Sequence, residues 1–138
     1  MKSTLKILFA DDDLKYSLVL KRFLEREGYE VTYTGNGTMA LKQFPVVKPD
    51  LVLLDINMPG LNGFEVAEKI REQDRHVLIF FLSDRSDKTD RLKGFSLKGN
   101  DYLAKPFHTA ELLARVKSVL RRSRSGGDMT VVSGNVSL

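Results

Sequence analysis

Five residues able to do chemistry stand at comparable places in the sequence. Asp11 and Asp12 follow the apolar run KILFA, Asp55 follows LVLL, Ser83 follows VLIFFL, and Lys105 follows the short run from Tyr102 to Ala104. If these runs are parallel strands of one open sheet, their carboxyl ends share an edge, and ligands bind such sheets along that edge. Three carboxylates gathered there repel one another and demand a cation or a proton. A hard divalent ion on oxygen ligands meets that demand. Mg2+ (or Mn2+) suits few carboxylates with room for water and phosphate oxygens, whereas Ca2+ takes more protein ligands. Lys105 supplies a compact positive charge and Ser83 a hydroxyl donor, both suited to phosphoryl oxygens. In such a set a central carboxylate can attack a phosphoryl group and form an acyl phosphate, and Asp55 has the central place. Taken singly, each Asp is better explained as a helix N-cap or turn residue, and Asn57-Met58-Pro59-Gly60 and Lys105-Pro106 as loop and turn. The agreement of five positions is what favours a site.

The elements that must position these groups follow from hydrophobic patterning. Lys6 to Ala10, Leu51 to Leu54 and Val77 to Leu82 are continuously apolar, the pattern of strands buried on both faces of a parallel sheet. Tyr29 to Tyr33 and Tyr102 to Ala104 read as weaker, peripheral strands. Between them, Leu14, Leu18, Leu20 and Leu24 recur at helical spacing, with Asp13 as N-cap and Gly28 as stop. Helices are also expected over Thr38 to Phe44, Phe64 to Arg71, Lys88 to Leu97 and Thr109 to Arg122. Alternating strands and helices with short connections imply right-handed crossovers. The expected fold is α/β, a three-layer α/β/α sandwich around a five-stranded parallel sheet.

Composition narrows the function classes. The 138 residues suit one domain, and 42% hydrophobic with 29% charged residues supports a packed core. No apolar run approaches the roughly twenty residues of a spanning helix. The N-terminal apolar stretch runs into Asp11-Asp12-Asp13 where a signal peptide needs small residues, so the chain reads as cytoplasmic. Without Cys there is no disulfide or thiolate chemistry, and His76 and His108 stand apart, which disfavours a zinc site. The net charge of +4 is modest, and the basic cluster Arg115, Lys117, Arg121, Arg122 and Arg124 fits a helix C-terminus better than a nucleic-acid surface. RRSRSGGD after Leu120 reads as a linker. The expected division is a domain over 1–122, then linker and a possible truncated output-domain start over 123–138.

ILFADDD, LVLLDINMPGLNGFE, FFLSD and GNDYLAKPF, in this order and spacing, resemble the receiver domain of a two-component response regulator over about residues 5 to 121. The resemblance implies a flavodoxin-like (βα)5 fold. Asp55 would be the phosphoryl acceptor, Asp11 and Asp12 the metal-binding pair, and Asn57 a ligand through its backbone carbonyl. Ser83 and Lys105 would hold phosphoryl oxygens, and Tyr102 matches an aromatic residue that moves inward when Ser83 is drawn to them. The Lys105-Pro106 bond would be cis. ELLARVKSVLRRS and the tail resemble the winged-helix (OmpR/PhoB-like) branch. In that branch dimers form on the face made by the fourth helix, fifth strand and fifth helix. Arg91 with Glu111 and Asp101 with Arg115 match its pairing positions; read plainly, they are surface charges worth little. Asp84 departs from the usual small residue and Asn100 from a frequent acid. Arg85 and Asn57 occupy positions that tend to set acyl-phosphate lifetime in this family.

The resulting expectation is a phosphoacceptor switch rather than a turnover enzyme, catalysing only its own phosphorylation and dephosphorylation. Its partners would be a sensor histidine kinase or phosphotransfer protein and a second copy of the chain, with DNA reached only through an absent C-terminal domain. A receiver-like binding module that needs no phosphate is one alternative. A Mg2+-dependent phosphatase with an Asp nucleophile is another, disfavoured because Asp55 follows the third strand and no cap insertion exists.

Overall fold

Strands form where the apolar runs predict them, because a residue apolar on both sides of the chain is stable only between two covered faces. In the computed structural model the described residues are 4–83, 99–105 and 107–129, with side chains as far as 121. The elements are β1 (Lys6–Ala10), α1 (Leu14–Arg26), β2 (Glu30–Thr34), α2 (Gly37–Val47), β3 (Leu51–Asp55), α3 (Gly63–Gln73), β4 (Leu78–Ser83), β5 (Asp101–Ala104) and α4 (Thr109–Met129). The five strands pair in parallel in the order β2-β1-β3-β4-β5. The helix expected over 88–97 lies outside the described residues.

Side-chain alternation divides the core in two. Leu8, Val52, Leu54, Ile79 and Phe81 pack with Phe44, Val66 and Ile70 of α2 and α3. Ile7, Phe9, Leu53, Phe80 and Leu82 pack with Leu20 and Leu24 of α1 and with Leu112 and Val116 of α4. Every residue of β3 and β4 is buried, as their unbroken apolar sequences require.

Helix ends follow local chemistry. Asp13 caps α1, accepting from the Tyr16 amide. Gly28 ends it at φ 99°: its amide bonds Glu25 and the Tyr29 amide bonds Leu24, a paired closure that needs a left-handed residue at that point. Asn36 is the N-cap of α2, its side chain accepting from the Met39 amide. Asn62 and Glu65 make a reciprocal capping box on α3.

Three helices outrun their sequence boundaries, α3 by only a residue before Phe64 and two after Arg71. α2 continues past Phe44 through Pro45 to Val47; a proline in the last turn removes one hydrogen bond without stopping the helix. α4 continues to Met129 through the stretch read as linker. Arg and Ser are acceptable helix residues, and an established helix propagates cheaply enough to cross Gly126 and Gly127, each of which costs about 1 kcal/mol relative to Ala.

Candidate functional site

The expected convergence occurs. Asp11 and Asp12 lie just past the end of β1, Asp55 is the last residue of β3, Ser83 the last of β4, and Lys105 follows β5. Carboxylate oxygens of Asp11, Asp12 and Asp55 all lie within 4.8 Å of one another. Lys105 Nζ is 2.8 Å from Asp11 Oδ2 and 3.9 Å from Asp55 Oδ1. Ser83 Oγ stands 3.4 Å from Asn57 Oδ1, a long contact. Asp11, Asp55 and Ser83 are buried, while Asp12 and Asn57 are exposed.

Backbone bonds hold these groups. The Asp11 amide donates to Thr34 O, and the Tyr33 hydroxyl donates to Asp11 O at 2.6 Å. Asp11 Oδ1 accepts from the Asp13 amide at 2.9 Å, and Asp55 Oδ1 from the Asn57 amide at 3.2 Å. Behind Asp55 there is no room: a Cβ on Gly63 would lie 2.5 Å from Asp55 O and 2.9 Å from Ile56 Cα. The first residue of α3 must therefore be glycine for the helix to start against the back of the acceptor strand.

The electrostatics are those of crowded acids. The Asp55 carboxyl is pushed up to about 7, first by burial and then by the charge of Asp11, while Lys105 and the Asn57 amide act the other way. A cluster of this kind is short of positive charge. Three convergent oxygen donors, two of them buried, match what a small hard divalent cation requires, and Mg2+ fits them. Asp11, Asp12 and Asp55 would hold it.

Other expected residues fall as follows. Tyr102 is buried and packs in the cluster that contains Phe81. Asp101 and Arg115 pair at 3.1 Å within one chain, and Glu111 lies 3.8 Å from Arg115. Asn100 accepts from the Ile79 amide at 2.8 Å, tying β5 to the start of β4. His76 and His108 are exposed. Arg91, Asp84, Arg85 and the Lys105-Pro106 bond lie outside the described residues or depend on one that does. None of the helices among the described residues is long and apolar enough to cross a membrane.

Sequence reasoning missed Tyr16, Phe107, Tyr33 and Gly63. Tyr16 was within reach, since the Asp13 cap places it on the first turn of α1, just beyond the end of β1. Phe107 and Gly63 stand inside the motifs GNDYLAKPF and LVLLDINMPGLNGFE, but their contacts with Tyr16 and with the Asp55 backbone, like that of Tyr33 with Asp11, had no signal short of the folded structure.

Comparison with known proteins agrees with this geometry. Residues 7–117 match the family described as response regulator receiver domain. The Bacillus subtilis alkaline phosphatase synthesis transcriptional regulatory protein PhoP is 41% identical over 118 residues, 86% of this chain and 49% of that protein. The CpxR homologue of Haemophilus influenzae, also named a transcriptional regulatory protein, is 42% identical over 120 residues, 87% of this chain and 52% of that one. The chain thus spans about half the length of these curated relatives, and they support the OmpR/PhoB-like branch. Among solved structures, the Thermotoga maritima response regulator TrrA in complex with Mg2+ and BeF is 37% identical, covering 84% of this chain and 99% of that one with a TM-score of 0.77. A CheY-like receiver domain protein from Methanospirillum hungatei is 25% identical, covering 89% and 98%, with a TM-score of 0.85. Matched from β1 into α4, the chain belongs to the receiver domain family of two-component response regulators.

Proposed function

We propose that this chain is a phosphorylation switch in which Asp55 accepts a phosphoryl group from a sensor histidine kinase or phosphotransfer protein. The observation that carries the reading is the meeting of Asp11, Asp12 and Asp55 within 4.8 Å, with the Lys105 ammonium against Asp11 and Asp55. Ionised Asp55 attacks phosphorus, and the P–N bond of a donor phosphohistidine protonated on its other ring nitrogen breaks; the bond pair leaves with a neutral imidazole while an acyl phosphate remains on Asp55. Bound Mg2+ on the acidic cluster would neutralise charge on the carboxylates and on the incoming oxygens. Lys105, already near Asp55, is placed to move its ammonium from Asp11 toward a phosphoryl oxygen, and Ser83 can donate its hydroxyl to another. Asn57 would contribute its backbone carbonyl to the metal. The domain catalyses its own phosphorylation and dephosphorylation and turns over no other substrate.

The output we propose is a population shift: contacts to Ser83 and Lys105 favour one arrangement of an output face that includes β5 and α4, with Tyr102 following Ser83. Homodimerisation through that face, with Arg91 facing Glu111 and Asp101 facing Arg115, is part of the proposal. So is transcriptional control through a DNA-binding domain, which the names of the relatives support. The reading places residues 1–122 in the receiver domain and leaves 123–138 as its connection to an output domain.

Intact mass spectrometry with acetyl phosphate and Mg2+, beside size-exclusion chromatography, tests this. A single Mg2+-dependent phosphoryl adduct, lost in Asp55→Asn and accompanied by a shift to dimer, is expected. A folded protein that takes no adduct would be a phosphorylation-independent binding module.

A further inference from the structure

Tyr16 does no work in the scheme above, yet it lies against the site. Its amide is fixed to the Asp13 cap at 3.1 Å, so the residue is anchored on the first turn of α1. Its ring lies under the Lys105 ammonium, with Nζ 5.1 Å from the centroid, and meets the edge of Phe107 at 5.9 Å and 72°. The Tyr16 hydroxyl is buried and has no hydrogen-bond partner among the described residues. The ring, rather than the hydroxyl, therefore makes the contact that matters.

We propose that Tyr16 is a positioning residue for Lys105: its ring, braced by Phe107, and the Asp11 carboxylate together hold the ammonium within reach of Asp55. The inference rests on the reading of Asp55 as phosphoryl acceptor. A lysine on its four-carbon stem has much rotamer freedom to lose on being placed, and a salt bridge to Asp11 alone would hold Nζ at Asp11. An aromatic face attracts the ammonium without a directional bond. The ammonium, 2.8 Å from Asp11 and 3.9 Å from Asp55, can therefore turn from one toward a phosphoryl group on the other while keeping its contact with the ring. Tyr16 sits on α1 and Phe107 at the approach to α4, so the support for Lys105 comes from the α1/α4 side of the sheet.

The test uses the whole chain and the variants Tyr16→Phe, Tyr16→Leu and Lys105→Met. In the wild type, NMR should find the Lys105 ε-methylene protons shifted upfield by the ring. Tyr16→Phe should keep that shift and Tyr16→Leu lose it. Uptake of a phosphoryl group from acetyl phosphate, followed by intact mass, should slow roughly 3- to 30-fold in Tyr16→Leu. Tyr16→Phe should restore it to near the wild-type rate. In the Lys105→Met background, Tyr16→Leu should add no further slowing, since both changes remove the same interaction. Lys105 ε protons at solution values in the wild type overturn the proposal without any variant having to fold. Equal slowing in both backgrounds, or Tyr16→Phe as slow as Tyr16→Leu, also overturns it. A wild type that accepts no phosphoryl group defeats the acceptor reading instead, and the NMR shifts still decide the placement of Lys105.

Discussion

Replacing Asp55 by Asn should make the protein more stable at alkaline pH and little different at acid pH. The folded carboxyl is pushed from its ordinary 3.8 to about 7 by burial and by Asp11. Between those values the folded chain keeps a proton that the unfolded chain has released. The native state therefore binds more protons, and stability falls as pH rises through that window. About three pH units at 1.36 kcal/mol each give about 4 kcal/mol for the whole window, of which about 3 kcal/mol falls between pH 5 and pH 8. Urea unfolding in EDTA, at half-unit steps over that range, would follow wild type and Asp55→Asn together. The two curves should lie close at pH 5 and separate with rising pH, the Asn variant becoming the more stable by up to about 3 kcal/mol at pH 8. Mg2+ added at pH 8 should return much of that loss to the wild type by binding only the folded cluster, and much less to the variant. A stability difference that stays constant from pH 5 to pH 8 would refute the claim that buried Asp55 carries the strain of the acidic cluster.

Gly63→Ala would force a Cβ to within 2.5 Å of Asp55 O, and should cost about 1–3 kcal/mol in urea unfolding while slowing phosphoryl uptake. Asp13→Ala removes the cap of α1 and should lower stability by about 1 kcal/mol, measured in the same way. Phe80→Ala, deep in the core between the sheet and the α1/α4 layer, should cost about 3–5 kcal/mol; a loss below 1 kcal/mol would contradict the packing described for that layer. Arg115→Ala breaks a partly exposed pair with Asp101 and should change monomer stability by less than about 1 kcal/mol. The same substitution should weaken the proposed phosphorylation-dependent dimer, with size-exclusion chromatography of the phosphorylated protein as the measurement.

Much of the fold was legible because the three central strands β1, β3 and β4 are buried on both faces, so their apolar runs stand out without knowledge of the partner strands. Boundaries were less legible. Composition placed a helix end before Pro45 and near Arg122, and in both cases helical continuity overrode the local signal. At the site, residue type and place along the chain were enough to pick out Asp11, Asp12, Asp55, Ser83 and Lys105. A residue just past a buried parallel strand can only emerge at the sheet's carboxyl edge.

Sequence by itself determined which groups reach that edge and therefore the charge and donor set available there. Tertiary structure alone decided how they meet. Lys105 pairs with Asp11 across 94 positions of chain, and its ammonium rests on a tyrosine ring supplied by a different helix. It also decided that α3 begins hard against the backbone of Asp55, so that Gly63 serves the site without touching a ligand. The physical reason is one of range. Hydrophobic patterning and capping act over a few residues and leave marks in the sequence. Burial, charge repulsion and ring contacts depend on distances between elements, and those distances exist only once the sheet has closed its register and the helices have packed on both sides.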